Sequence, residues 1–177
     1  MYEADEVIAE ICSAFADVEP PPSWCLVSSN EGSEPASLAS EFASVPKWES
    51  LDPEILDAAP SGLASALSFF SDEAFRYYLP AYLIASVRNQ LGRVDPVFHL
   101  IHGFQTRTVV TPVNPRRYGA RTWRDQAVYR YAMFTRSQAS AIASYLNHHL
   151  HYGNRSPFEL EEIEEALNNY WRERDTP

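Results

Sequence analysis

The sequence predicts an all-α fold, and three observations lead to this prediction. Apolar residues recur at helical spacing in one segment after another, which is typical of amphipathic helices. Proline, capping residues and glycine stand at the starts and ends of these segments. The most β-branched stretch, residues 106–113, contains Pro112 and is followed by Pro115, so it allows at most a minor strand element. We expect a single domain over residues 1–177, with seven to nine helices around a buried central helix at about residues 72–91.

The central helix has a clear start and an apolar surface on almost every side. Ser71 can cap its first turn, and Asp72 and Glu73 place negative charge beside the free N–H groups there. Pro80 predicts a kink because it removes one backbone hydrogen bond. Apolar side chains on all faces are typical of a helix inside a domain. They include Phe75, Tyr77, Tyr78, Leu79, Ala81, Tyr82, Leu83 and Ile84.

The part of the chain before the central helix predicts several shorter helices. An apolar stripe at helical spacing indicates the first, and the prolines at residues 20–22 end it. Proline at the first helical position, after an acidic residue, opens a later one. The predicted helices cover residues 4–18, about 35–44, 53–58 and 61–70, the last with Leu63, Leu67 and Phe70 on one face.

Gly92 is predicted to end the central helix, and proline and glycine also mark the limits of the helices that follow it. Asp95 and Pro96 open a helix that Gly103 closes, and an irregular loop follows at about residues 105–121. The remaining helices start near Thr122, after Thr135 and after Ser156, the last two with capping boxes completed by Gln138 and Glu159.

Three stretches of the sequence carry a resemblance to a known family. They are Trp48–Leu56, Ala66–Leu83 with its Ser-Asp-Glu-Ala-Phe-Arg-Tyr-Tyr-Leu-Pro-Ala-Tyr-Leu motif, and Phe134–Gln138 with Ala141–Ile142. Together they resemble a family of small bacterial proteins that contain a domain of unknown function. That family has no established activity, substrate or catalytic residue. The resemblance therefore implies a shared fold and carries over no site.

Charge is strongly segregated along the chain, although the formal net charge is -10. Residues 1–75 hold fifteen acids and one base, residues 76–155 eleven arginines and two acids, and residues 156–177 seven acids and two arginines. An acidic whole argues against a general nucleic-acid binder, because phosphate contacts need basic surface. A local basic site in the middle of the chain stays open.

Composition also sets expectations for location and assembly. The first residues are acidic and lack an apolar run, and the longest apolar run is too short to cross a bilayer, so we expect a cytoplasmic protein without a membrane segment. Two cysteines are too few for a disulfide framework, and Cys12 shares a helical face with Ile8 and Phe15, which favours a core position. We expect a monomer or a weak homodimer.

The sequence contains no motif for catalysis, a cofactor or a metal. Its six glycines do not form a phosphate-binding loop, and no serine lies in a nucleophile elbow. His99 and His102, like His148 and His151, have a spacing that can serve a metal, but histidines near helix ends more often bind free carbonyls. Five glutamates at residues 159–165 are expected to form a solvated helix face.

Two groups of residues are the candidate ligand-binding or partner-binding sites. Arg76 is the charge in the middle of the apolar central helix, so it either pairs with an acid or lines, with Tyr78, a pocket for an anionic ligand. The second group lies in or beside the irregular loop, which we expect to be exposed and mobile and to bind a partner or fold back onto acidic helices. Its arginines are Arg107, Arg116, Arg117, Arg121 and Arg124.

These observations favour a non-catalytic cytoplasmic protein, such as an adaptor or an immunity-type inhibitor, that acts by binding another protein. One alternative is an enzyme or a binder of a small anionic ligand with a pocket near Arg76 and Tyr78. A second alternative is arginine-mediated nucleic-acid binding through residues 105–124, which the acidic composition makes the weaker of the two.

Overall fold

The computed structural model describes residues 3–29, 31–43, 47–58 and 65–175 of the chain. The described residues are helical, apart from turns and two isolated antiparallel bridges that join Val27 to Phe70 and Pro112 to Thr122. The predicted all-α fold class is therefore confirmed. The contacts divide the chain into two compact units, one of residues Ile8–Pro96 and one of residues Met1–Val7 and Val97–Pro177.

Most helices begin and end close to the predicted limits, but the short helix Pro115–Tyr118 lies inside the predicted loop. In the order of the chain they are α1 (Ala4–Phe15), α2 (Ser33–Phe42), α3 (Pro53–Ala58), α4 (Ser65–Phe69), α5 (Asp72–Val87), α6 (Pro96–Ile101), α7 (Pro115–Tyr118), α8 (Trp123–Tyr131), α9 (Arg136–Tyr152), α10 (Pro157–Ala166) and α11 (Arg172–Asp175). A π-helical segment, Leu167–Trp171, joins α10 to α11. Part of the predicted helix at residues 61–70, including Leu63, lies outside the described residues.

The buried helix α5 organises the unit of residues 8–96. The Ser71 hydroxyl accepts a hydrogen bond from the Ala74 N–H, as the capping prediction requires, and most of the side chains on the helix are buried. An aromatic cluster packs one side of it, where the Tyr78 ring stacks on Phe70 at 5.2 Å and meets Phe42 edge-on at 4.9 Å. This cluster fixes α5 against α2 and the end of α4.

Helix α5 ends earlier than the predicted limit near residue 91. Asn89 adopts a left-handed conformation with φ of 56°, and its N–H donates to the Ser86 carbonyl. The Gln90 N–H reaches back to the Ala85 carbonyl, which completes a Schellman motif. Asn89 therefore ends the helix in place of the predicted Gly92, because asparagine also tolerates the left-handed region.

In α1, the predicted core position of Cys12 is wrong. The apolar stripe of this helix buries Val7, Ile11 and Phe15. Cys12, predicted to lie in the core, is exposed instead. Residue 12 follows residue 11 by one position, or about 100° around the helix, which places it at the edge of the stripe rather than in it.

The unit that contains residues 97–177 is built on α9, α10 and α11. Three groups of the π-helical segment bind the end of α6 and the turn after it. The Trp171 indole N–H donates to the Leu100 carbonyl at 2.9 Å, the Asn169 amide donates to the Phe104 carbonyl at 2.7 Å, and the Tyr170 ring stacks on Phe104 at 4.2 Å. The segment therefore secures residues 100–104 to the end of the last helix.

Candidate functional site

The predicted loop at residues 105–121 starts as a docked segment. The Thr106 N–H donates to the Glu165 carboxylate at 2.9 Å, and the Arg107 guanidinium forms an ion pair with Glu162 and lies 5.4 Å from the centre of the Phe158 ring. Glu162 is only 7% exposed. The expectation that the glutamates of residues 159–165 form a solvated face is therefore wrong for Glu162, which α10 turns towards the Arg107 side chain.

The rest of this segment forms a loop on the surface, and hydrogen bonds close the loop at its base. The Val113 N–H donates to the Arg121 carbonyl at 2.8 Å and the Trp123 N–H to the Thr111 carbonyl at 3.0 Å, so two backbone bonds close its base. At its tip, Asn114 adopts a left-handed conformation and caps the single-turn helix α7 through its side chain. Residues 114–120 are exposed, as predicted.

Besides Arg107, the predicted loop group contains four arginines, and these have different surroundings. Arg116 and Arg117 are exposed on α7, and the Arg117 guanidinium lies 5.4 Å from the centre of the Tyr118 ring. Arg121 lies 5.3 Å from the centre of the Tyr129 ring on α8. We call Arg116, Arg117, Tyr118, Arg121 and Tyr129 the arginine–tyrosine surface.

The fourth arginine, Arg124, is half-buried and contributes less to this surface. One of its Nη atoms donates to the Asn169 carbonyl at 3.5 Å, in the π-helical segment. The Arg124 side chain therefore reaches from α8 to the π-helical segment.

The arginine–tyrosine surface carries an excess of positive charge, because the one acid near it in the sequence is bound in a capping box. Residues 108–134 contain five arginines and a single acid, Asp125. The Asp125 carboxylate completes a capping box with Thr122, and hydrogen bonds from the Thr122 backbone and hydroxyl, with Arg121 and Arg124 nearby, lower its pKa. The acid stays ionised and internally bound, so it offsets one charge and leaves an excess of positive charge at the surface.

Arg76 and Tyr78, the first predicted group, have different surroundings. Arg76 is half-buried on α5, whereas Tyr78 is 2% exposed and belongs to the aromatic cluster with Phe42 and Phe70. Burial raises the pKa of Tyr78 to about 12. Two clefts that share Trp48 lie in the unit of residues 8–96, and their linings do not include Arg76 or Tyr78.

The histidine pairs have structural surroundings. His99 and His148 are buried, His102 packs edge-on against Trp123 at 4.6 Å, and the Nδ1 atom of His151 lies 2.8 Å from the Asn147 carbonyl one turn before it. Burial, followed by the charge of Arg107, lowers the pKa of His102. In the described part of the chain, no three His, Cys, Asp or Glu side chains are grouped so that they could hold a metal ion.

Sequence reasoning missed two kinds of candidate residue. Tyr118 and Tyr129 were not singled out, although each stands within eight positions of an arginine that covers its ring. The aromatic and acidic residues around a cleft beside Trp48 were also missed, because they come from three segments that only the fold brings together.

None of the described helices has the length and apolar character needed to cross a membrane.

Comparison with known proteins identifies the family but no activity. No curated protein and no solved structure matches the chain. The model of a family of unknown function, DUF6714, matches residues 3–175. The resemblance to a domain of unknown function is thus confirmed over nearly the whole length. The chain belongs to the DUF6714 family.

Proposed function

We propose that this protein is a non-catalytic cytoplasmic binding protein, an adaptor or an immunity-type inhibitor, and that its arginine–tyrosine surface binds an acidic surface of another protein. The observation that carries the proposal is the exposure of Arg116, Arg117 and Tyr118 on a short, capped helix. The single acid of residues 108–134, Asp125, is bound in the capping box of α8. Arginine and tyrosine are the residues that contribute most often to the energetic centre of protein interfaces.

The way the surface is built supports binding by a preorganised site. Two backbone hydrogen bonds close the base of the loop that carries α7, and the side chain of Asn114 caps this helix. A partner that binds α7 therefore does not have to order a free loop, which reduces the entropy lost on association. Arginine also suits a carboxylate partner, because its planar guanidinium donates two parallel hydrogen bonds.

A protein partner fits this surface better than a nucleic acid does. Single-stranded nucleic acids are bound by stacking bases on free aromatic rings. Here a guanidinium already lies near the rings of Tyr118 and Tyr129. The net charge of -10 on the whole chain also opposes the approach of a long polyanion, whereas a partner with a local acidic patch meets less repulsion.

A photo-crosslinking experiment tests the proposal. A benzophenone amino acid replaces Tyr118 in the full chain, and proteins crosslinked in cells are identified by mass spectrometry. We expect partners with an acidic surface, and the isolated partner should bind the Arg116→Glu/Arg117→Glu variant at least about tenfold more weakly, or about 1.4 kcal/mol. The loss should shrink as the salt concentration rises.

Arg136→Glu is the matched control for Arg116→Glu, because both arginines are exposed near the start of a helix and the charge change is the same. Binding that Arg116→Glu weakens and Arg136→Glu does not would support the proposed surface. Equal effects of the two changes, or crosslinks to nucleic acid alone, would contradict it. A large fall in melting temperature for the double variant would instead assign a structural role to α7.

A further inference from the structure

A proline-rich segment follows α1 in the unit of residues 8–96 and lies at the surface. Its sequence is Glu19-Pro-Pro-Pro-Ser-Trp24. Pro20 and Pro22 are exposed, and Pro21 is half-buried. We call residues 19–24 the proline–tryptophan segment. It shares no residue with the arginine–tyrosine surface.

The three prolines favour a polyproline II conformation for this segment. The proline ring fixes φ at about -65°, and a residue that precedes a proline is restricted to extended ψ values. Pro22 has φ of -56° and ψ of 144°, which are polyproline II values. A polyproline II helix has no internal hydrogen bonds, so it forms without support from the rest of the fold. The segment therefore already has the backbone form that proline-binding grooves recognise.

Trp24 stands at the end of the segment and is 84% exposed. It is the most exposed of the large apolar side chains in the described part of the chain. Tryptophan is highly buried on average in folded proteins, and it is enriched among the residues that contribute most to the binding energy of protein interfaces. An indole left in solvent directly after three prolines is the second observation that indicates a binding segment.

The turn that carries Trp24 is fixed by hydrogen bonds on the side that follows it. The Cys25 N–H donates to the Pro22 carbonyl at 2.8 Å, and the Ser71 hydroxyl donates to the Cys25 carbonyl at 2.6 Å. The Ser71 N–H donates to the carbonyl of the buried Leu26 at 3.1 Å. A partner that binds Trp24 therefore does not have to order the turn, which reduces the entropy lost on association.

The chain around the segment is acidic. Residues 8–31 contain four acids and no base. Two of these acids, Asp17 and Glu19, are exposed and stand immediately before the prolines. Since binding surfaces are electrostatically complementary, a groove that accepts this segment should have basic residues at its rim.

We propose that the proline–tryptophan segment is a ligand for a protein domain that has an aromatic-lined groove with a basic rim. The aromatic side chains of the groove pack on the rings of Pro20 and Pro22, and the Trp24 indole fills an adjacent pocket. This partner has the opposite charge to the one proposed for the arginine–tyrosine surface. The inference does not depend on that surface, because the two sites have no residue in common.

Photo-crosslinking followed by peptide competition tests the segment. A benzophenone amino acid replaces the exposed Ser23 in the full chain, and proteins crosslinked in cells are identified by mass spectrometry. Binding of the isolated partner to the full chain is then measured with a competitor peptide of residues 17–27. We expect this peptide to compete, because polyproline II does not need the rest of the fold. A peptide with alanine in place of the three prolines should compete at least tenfold more weakly.

A pair of variants of the full chain separates this segment from other exposed aromatic residues. Trp24→Ala should weaken binding of the isolated partner at least tenfold and leave the melting temperature unchanged, because the side chain is exposed. Phe98→Ala removes an exposed aromatic ring outside the segment and should leave binding within twofold. No protein crosslinked through residue 23, crosslinks to lipid alone, equal competition by the two peptides, or equal loss in the two variants would each overturn the proposal.

Discussion

Tyr82, in the middle of α5, is a residue whose hydroxyl works against stability. Its side chain is fully buried, and in the described part of the structure its hydroxyl has no hydrogen-bond partner. A buried polar group left without a partner costs about 1–3 kcal/mol of stability. Tyr82→Phe removes that group and keeps the ring, so we expect the free energy of unfolding to rise by about 1 kcal/mol. Urea unfolding followed by circular dichroism measures it.

Tyr131 is the control for Tyr82. It is also buried, but its hydroxyl donates a hydrogen bond to the His99 carbonyl. Tyr131→Phe should therefore lower the free energy of unfolding, by about 1 kcal/mol. If Tyr82→Phe destabilises the protein as much as Tyr131→Phe does, the Tyr82 hydroxyl has a partner, such as an ordered water, that offsets its burial.

For single arginines, the sequence predicts exposure at the surface more accurately than it predicts the residues that they contact. Arg116 and Arg117 were expected to be exposed because they lie among prolines and a glycine, and they are. Contacts such as the pairing of Arg107 with Glu162 join residues 55 positions apart. Such contacts depend on the packing of whole helices, which local spacing does not determine.

Among the elements, the joint between α6 and α8 depends on one glycine. Gly103 has φ of 94°, and a Cβ atom placed there would lie 2.6 Å from the Trp123 carbonyl oxygen and 2.8 Å from the Ala127 Cβ. The start of α8 therefore packs directly on the backbone of the turn. Gly103→Ala should lower the free energy of unfolding by about 2–5 kcal/mol, the sum of left-handed strain and overpacking.

Gly119 provides the matched control for this joint. Its φ of 61° is also positive, with ψ of -128°, but a Cβ atom would meet nothing within 4 Å. Gly119→Ala should cost only the conformational strain, about 1–3 kcal/mol. Thermal unfolding of both variants measures the difference. Equal losses would show that the packing of α8 relaxes to accept a methyl group at residue 103.

The elements were predictable where a local signal sets their limits. The capping boxes at Thr135 and Ser156 are present, and α9 ends at Gly153. The predicted helix start near Thr122 is also correct, although the box there is completed by Asp125 rather than by a glutamate or glutamine. The end of α5 was missed, because Asn89 rather than a glycine ends it. The π-helical segment had no local signal in the sequence, and its hydrogen bonds join it to residues at least 65 positions away.

For the whole molecule, the types of ionisable side chain determine how the stability of the protein changes at high pH. Thirteen of the fourteen basic side chains are arginines, which stay protonated at any pH that a protein survives. In the described part of the chain, burial raises the pKa of Tyr77, Tyr78, Tyr82 and Tyr170 above the ordinary value for tyrosine. Alkaline unfolding of this protein should therefore report mainly on tyrosines.

Tyr78 has the pKa that makes this response measurable. Burial raises its pKa from 10.0 to about 12 in the folded protein, and burial also raises the pKa of Tyr82 and Tyr170. Above pH 10 the unfolded chain loses the phenolic proton while the folded chain keeps it, so the folded state binds more protons. The stabilising contribution of Tyr78 is fully present below about pH 10 and is lost as the pH rises towards 12.

We expect Tyr78 to lower the free energy of unfolding by up to about 1.4 kcal/mol per pH unit between about pH 10 and 12. Urea unfolding at a series of pH values gives the slope. Tyr78→Phe should reduce the slope by the share of one tyrosine. An unchanged slope in Tyr78→Phe would mean that the Tyr78 hydroxyl loses its proton as readily in the folded protein as in the unfolded chain, which its place in the aromatic cluster with Phe42 and Phe70 argues against.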